Sequence, residues 1–323
     1  MLSVRVMCPA AHTAEVVDLL EADTGVAHIA VHEGASVRPA GDVIVCDVAR
    51  EAADSLLVDL RALGVERYGG IALDDTVVLS EAAKRAEHAA PGAGSDAVLW
   101  NTLERQTEDD TSLTWSYIVF LAIATQLAGI AVVIDSPILI VGAMVLGPEF
   151  APLARISVAL LRRKPRWAWQ GIRTLVIGFA VAILVTFVCA LVSRWWGWIT
   201  PDVVQTGSRP LTEFVVHPDK WSFIVAVLAG CAGVLSLTSA KSSTLVGVFI
   251  SVTTVPAAGN IAVAMALGVW SQVSLSAIQL GVNLAGIIAA GAVTLVVQRV
   301  LWARVRQRVR TARRARQARR VRE

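Results

Sequence analysis

WSYIVFLAIATQLAGIAVVIDSPILIV, residues 115–141, and WSFIVAVLAGCAGVLSLTSAKSSTLV, residues 221–246, open alike and continue as matched apolar runs. Each then runs into a glycine, Gly142 or Gly247, and soon meets a proline, Pro148 or Pro256. A helix needs about 20 apolar residues to cross the hydrocarbon of a bilayer. On that measure the chain holds six candidate spans, near 115–134, 138–161, 174–192, 222–237, 245–267 and 273–297. The self-similarity divides them into two units of three. An odd number of crossings makes the second unit enter the bilayer from the opposite side. The expected fold is therefore α-helical and membrane-embedded, with two inverted three-helix repeats, an arrangement common among transport proteins.

Composition agrees with that reading. Of 323 residues, 55% are hydrophobic, and the mean hydropathy is +0.62, outside the range of soluble domains. The apolar residues are unevenly placed. Residues 1–79 read as a soluble domain, 80–111 as a linker and polar helix, 112–300 as the membrane domain, and 301–323 as a basic tail. The opening LSVRVMCPA lacks the basic and then apolar pattern of a secretory leader, so the first domain is expected in the cytoplasm. Cys8, Cys46, Cys189 and Cys231 have neither metal nor redox spacing.

Residues 1–79 alternate between strand and helix patterns in the order βαββαβ, which predicts a ferredoxin-like α+β domain. LSVRVMC, VAHIAVHEG and DVIVCDVA have strand periodicity, with Pro39 and Gly41 in the turn between the last two. Thr13 is positioned to cap the helix AEVVDLLEA, and Gly64 to stop the helix EAADSLLVDLRALG. His28 and His32 are four apart on one strand, and Cys8 and His12 are also four apart. These are read as surface and turn residues; no metal site is expected.

Charge orients the membrane domain. The loop RRKPRWAWQGIR after the second span is strongly basic, and the loop after the third is mixed in sign. Basic residues mark the cytoplasmic side. With both termini inside, RRKPRWAWQGIR, Lys241 and the eleven arginines from Arg299 to Arg322 all fall on that side. Tryptophans favour the interface. Trp115, Trp167, Trp169 and Trp302 fall at inner boundaries, and Trp195, Trp196, Trp198, Trp221 and Trp270 at outer ones. The expected location is the cell (inner) membrane. The basic tail is expected to meet anionic lipid rather than nucleic acid, because stacking aromatics are absent beyond Trp302.

Two spans are interrupted at matching positions. The second contains GAMVLGPEFAP, Gly142 to Pro152, and the fifth contains TTVPAAGN, Thr253 to Asn260. Proline removes a backbone donor and glycine frees the dihedrals. Irregular backbone at membrane depth survives only when buried in protein or lining a wet cavity. The expectation is two broken helices meeting at a polar centre. The transport path would comprise Gly142, Gly147, Pro148, Glu149, Pro152 and Arg155 from the first repeat. The second contributes Thr253, Thr254, Pro256, Asn260 and Asn283. Glu149 is the sharpest candidate, because a charge at the bilayer centre costs about 2.5–3.5 kcal/mol on insertion scales. The competing reading is an acid tied to a neighbouring helix by hydrogen bonds. Arg155 is its candidate partner. Asp135 and Lys241 hold equivalent repeat positions and are candidate gates, or simply solvated helix ends. Ser239, Ser242 and Ser243 are read as packing residues.

GAMVLGP (142–148), SRP around Arg209, LVGVFISVTTVPAAGNIAVAMALG (245–268) and LGVNLAGIIAAG (280–291) carry a resemblance. Over residues 112–297 the chain resembles the "uncharacterised hydrophobic domain" proteins of bacteria and archaea, the domain of unknown function 389 family. Many members resemble it further, with a ferredoxin-like region before the membrane part. In the family pattern a serine or alanine usually precedes the first proline and a neutral residue follows it. This chain departs from that, with Gly147 before and Glu149 after. The resemblance implies topology and names no activity.

Function is expected to be transport, by a carrier or channel, of a small ion or polar solute, with the cytoplasmic domain as gate. Proton coupling through Glu149 follows naturally, since desolvation disfavours a charged carboxyl. The alternative is a membrane-anchored sensor whose spans serve as scaffold and oligomer interface. No HExxH, phosphate-cradling loop or serine elbow is present, so neither enzyme nor cofactor is expected. The small-residue spans favour a homo-oligomer.

Overall fold

The computed structural model describes residues 1–90, 103–104, 107–108, 111–204, 211–212, 220–238 and 254–320. They form two compact units. The first comprises Met1–Leu103 with Thr238–Ala240 and Val300–Glu323; the second comprises Glu104–Leu237 and Lys241–Arg299.

The first unit is built on strands β1 (Leu2–Cys8), β2 (Val26–Val37), β3 (Ala40–Val48) and β4 (Gly70–Asp75). Helices α1 (Thr13–Ala22), α2 (Arg50–Ala62), the short α3 (Val65–Tyr68) and α4 (Glu81–Ala89) accompany them. The sheet order is β2-β3-β1-β4, and every neighbouring pair is antiparallel. Alternation makes the core. Leu2, Val4, Val6 and Cys8 of β1, and Ile44, Cys46 and Val48 of β3, are buried against Val16 and Leu20 of α1 and Leu56 and Leu60 of α2. Each such aliphatic side chain contributes about 1.5–3 kcal/mol of burial. Gly64, at φ 81°, follows the end of α2 and accepts a left-handed turn that a β-carbon would oppose.

Two local expectations change. Thr13 is the first helical residue rather than the cap, and its hydroxyl donates to Asp42 Oδ2 at 2.5 Å. Residues 81–89, expected as linker, form α4 because Ser80 caps them: its Oγ accepts the Ala83 amide at 3.0 Å. Ala83 and Ala86 supply the buried face of that helix.

The second unit is helical: α5 (Trp115–Val133), α6 (Pro137–Leu146), α7 (Phe150–Arg162), α8 (Pro165–Trp195), α9 (Lys220–Thr238), α10 (Val255–Leu267) and α11 (Trp270–Arg320). Among the described residues, four helices are long and apolar enough to cross a membrane: α5, α8, α9 and the Trp270–Trp302 part of α11. The pair α6 and α7, bent by 58°, makes a fifth if counted as one span. α10 has only 13 residues, and residues 239–253 of the expected fourth-to-fifth span region lie outside the described residues. The third span is longer than expected, a single helix of 31 residues. The arginine-rich end continues α11 as helix to Arg320.

Packing in this unit places small residues inside and large ones outside. Ala124, Ala128 and Ala131 of α5, and Ala257, Ala258, Ala262 and Ala264 of α10, are buried. Phe120, Ile123, Val176, Leu184 and Leu228 are exposed. In lipid, tails solvate large apolar groups as well as a core does, so close backbone approach drives association instead. A β-carbon added to Gly259 would come within 2.7 Å of the Gly129 amide nitrogen, so these two glycines set the α5–α10 crossing.

Candidate functional site: the junction of two helix starts

The break between α6 and α7 falls on Gly147, Pro148 and Glu149. Pro148 has no N–H to continue α6, and Gly147 leaves helical dihedrals as its C-cap, with ψ 119°. Glu149 becomes the N-cap of α7, and Thr254 becomes the N-cap of α10. Both helices are 13 residues long, and neither cap side chain bonds to its own helix. The two caps bond to each other: Thr254 Oγ1 donates to Glu149 Oε1 at 2.7 Å. Both residues are fully buried. Two helix N-termini, each with the positive end of its macrodipole, therefore open toward one carboxyl.

Pro152 and Pro256 sit in the first turns of α7 and α10 and are buried. There proline removes a donor that would have no helical acceptor anyway. Ala143, Leu153, Val255, Ala258 and Ile287 belong to one buried cluster with Tyr117. Tyr117 lies within electrostatic reach of Glu149. Its hydroxyl has no hydrogen-bond partner among the described residues.

A second polar contact lies nearby in sequence. Asn260, on α10, donates from Nδ2 to Ser276 Oγ of α11 at 2.8 Å, both fully buried. Ser276 belongs to a row the sequence reading missed. Gln272, Ser276, Gln279 and Asn283 follow one another on α11 at helical spacing and are all buried. Steps of four, three and four residues keep side chains on one helix face. That periodicity is visible in the sequence, although Asn283 alone of the four is among the expected path residues.

Arg155 is 1% exposed and has its own set of partners. Its guanidinium donates to the Glu104 carbonyl and to Gln170 Oε1, each at 3.2 Å, lies 3.7 Å from Glu108 Oε2, and stacks 4.3 Å from the Trp167 ring. Glu104 in turn pairs with Arg162 at 2.6 Å and Lys164 at 3.7 Å. Arg155 thus joins the basic loop after α7 to the segment before α5. A cavity of about 370 Å³ adjoins this network, lined by Glu108, Thr111, Ser112, Gln170, Arg173 and Thr174.

The remaining candidates separate. Asp135 takes a left-handed φ of 50° and accepts the Thr212 hydroxyl at 2.8 Å and the Leu211 amide at 3.3 Å. It anchors the chain that follows α8. Gly142 faces open space on α6. Thr253 and Lys241 lie outside the described residues. In the first unit, His12 stacks on Tyr68 at 4.0 Å, and His28 bonds Asp47 and Ser80. Among the described residues no group of three or more His, Cys, Asp or Glu side chains is arranged to hold a metal ion.

Apolar helices of spanning length around buried polar caps define an integral membrane protein. Its central segment, residues 144–289, matches the family described as "Domain of unknown function (DUF389)". An uncharacterized protein of Methanocaldococcus jannaschii is 24% identical over 196 residues. That alignment covers 59% of this chain and 57% of the relative, so the chain spans little more than half of that protein. No solved structure matches.

Proposed function

We propose that this protein carries a small ion or polar solute across the cell membrane, with Glu149 as the proton-binding group at the centre of the path. One observation carries the reading: the N-caps of α7 and α10 meet, Thr254 donating to Glu149 at 2.7 Å with both fully buried. A lone structural acid has no need of a second helix start. A translocation site does, because helix starts offer unfilled donors at mid-depth without an exposed edge. The polar row Gln272, Ser276, Gln279 and Asn283 supports the same reading, since intramembrane polar side chains face interiors and pathways.

In this reading the chain has six spans in two inverted repeats with both termini cytoplasmic. Supporting it, Trp115, Trp195, Trp221 and Trp270 stand exposed at ends of apolar helices, where interfacial anchors belong. The N-terminal unit is read as a ferredoxin-like gate, from its strand order and its helices after β1 and β3. The basic end of α11 would rest on anionic lipid, and the protein would act as a homo-oligomer without a cofactor.

Purified protein in vesicles with an internal pH dye tests the central claim. Wild-type protein is expected to discharge an imposed proton gradient, and Glu149→Gln to lose at least about tenfold of that rate. Equal rates in the two proteins remove Glu149 from the mechanism. Discharge no faster than in empty vesicles rejects proton transport itself.

A further inference from the structure

From the arrangement of His28, Asp47 and Ser80 in the first unit, we propose a second, hydrolytic site acting on carboxylic esters with a short apolar acyl chain. It is independent of the transport reading and departs from the expectation of no enzyme. The three residues have no motif spacing, and only the fold brings them together.

The register of β2 against β3 shifts between Ala27 and Ile29, so His28 is the extra residue of a bulge opposite Asp47 and Cys46. Its φ is 48°, a left-handed value that a non-glycine residue adopts only when its surroundings impose it. Bulges re-aim side chains, and strained residues concentrate at functional sites. Here the imidazole is aimed between two partners. His28 Nδ1 is 2.9 Å from Asp47 Oδ2, and His28 Nε2 is 3.0 Å from Ser80 Oγ.

One tautomer satisfies every contact. With the proton on Nδ1, the ring donates to Asp47, and Nε2 accepts the Ser80 hydroxyl proton. Ser80 Oγ meanwhile accepts the Ala83 amide at 3.0 Å. A hydroxyl has one proton to give and two lone pairs, so both bonds coexist. This is the order of orienting acid, base and nucleophile. Ser80 is also the N-cap of α4, a helix of nine residues. The amides of Glu81 and Ala82 have no helical acceptor and stand next to it. They and the positive helix end are suited to an acyl oxyanion. Val77 and Leu79, 91% and 93% exposed, precede Ser80 and offer apolar contact to an acyl chain.

In the reaction, Ser80 Oγ attacks the ester carbonyl as its proton passes to His28 Nε2. The bond to the leaving alkoxide breaks, and His28 protonates that alkoxide. Water then attacks the acyl-serine, giving its proton to Nε2. The carboxylic acid leaves as Ser80 recovers its proton.

The full-length protein in detergent is treated with a fluorophosphonate and mapped by mass spectrometry, and p-nitrophenyl butyrate hydrolysis is followed in parallel. The expected result is one adduct on Ser80, absent in Ser80→Ala. His28→Ala is expected to slow both reactions by at least about 100-fold, the range of a lost general base. His32→Ala is expected to react like wild type. An unlabelled Ser80 in the wild-type protein overturns the proposal without reference to any variant. So does equal labelling in His28→Ala.

Discussion

The Thr254–Glu149 bond invites a quantitative test. Thr254→Val keeps the shape of the side chain and removes the only donor it offers. The partner carboxyl is fully buried and 2.7 Å away. A hydrogen bond to an ionised acceptor contributes about 1.5–3 kcal/mol, and a neutral one about 0.5–1.5. Glu149→Met removes the acceptor at similar length. The double-mutant cycle built from these two changes isolates the pair from the rest of the core. The assay is equilibrium unfolding in mixed micelles, followed by tryptophan fluorescence. A coupling energy of about 2 kcal/mol or more is expected if the carboxyl is ionised there, and about 1 if it holds a proton. The measurement therefore reports the state of Glu149 as well as the contact. A coupling below about 0.3 kcal/mol would refute the reasoning, because the two helix starts would then not share a bond.

Other expectations follow from the same geometry. Gly259→Ala places a β-carbon within 3.0 Å of Gly129 and Ala128 atoms and should destabilise the helical unit by about 1–3 kcal/mol; Gly142→Ala, with no atom near, should not. Thermal unfolding in detergent compares the two. Burial pushes the Cys46 thiol up to about 12, so at pH 8 maleimide should modify it only after denaturation. The Thr13 hydroxyl and the Gly34 amide hold the Asp42 carboxyl below its ordinary range. Its contribution to stability is thus present above that range and lost as pH falls through the lowered value. Thr13→Val should weaken this acid dependence, read by hydrogen exchange of β1 and β3 between pH 2 and pH 6. Cysteines placed at Lys241 and Trp302 should be labelled from one membrane face, and one at Asp135 from the other.

The sequence made the helix break legible because proline and glycine act locally. Pro148 and Gly147 announce it whatever surrounds them. Spanning helices were legible for the same reason, since length and hydropathy are properties of one segment. The ends were less so. The third span runs past both expected ends, through Arg173 and to Trp195, and Arg194 reaches the Ala266 carbonyl at 2.6 Å. Partner choice was the least legible feature. Arg155 lies six residues from Glu149, yet its guanidinium meets Glu104, Gln170 and Trp167. Such contacts depend on how α7 and α8 fold against each other, and sequence spacing says nothing of that. Ser80, His28 and Asp47 are the extreme case: a bulge, a helix cap and a strand end that meet only in three dimensions.

The shortness of α7 has an electrical consequence. Thirteen residues rise about 20 Å, against about 30 Å of hydrocarbon. If Arg162 marks one surface, Glu149 lies up to about two-thirds of the way through the insulating layer. A proton arriving from that side would cross a matching share of the membrane voltage, about 1.5 kcal/mol for each 100 mV. Occupancy of the carboxyl would then respond to the energised state of the cell as well as to its acidity.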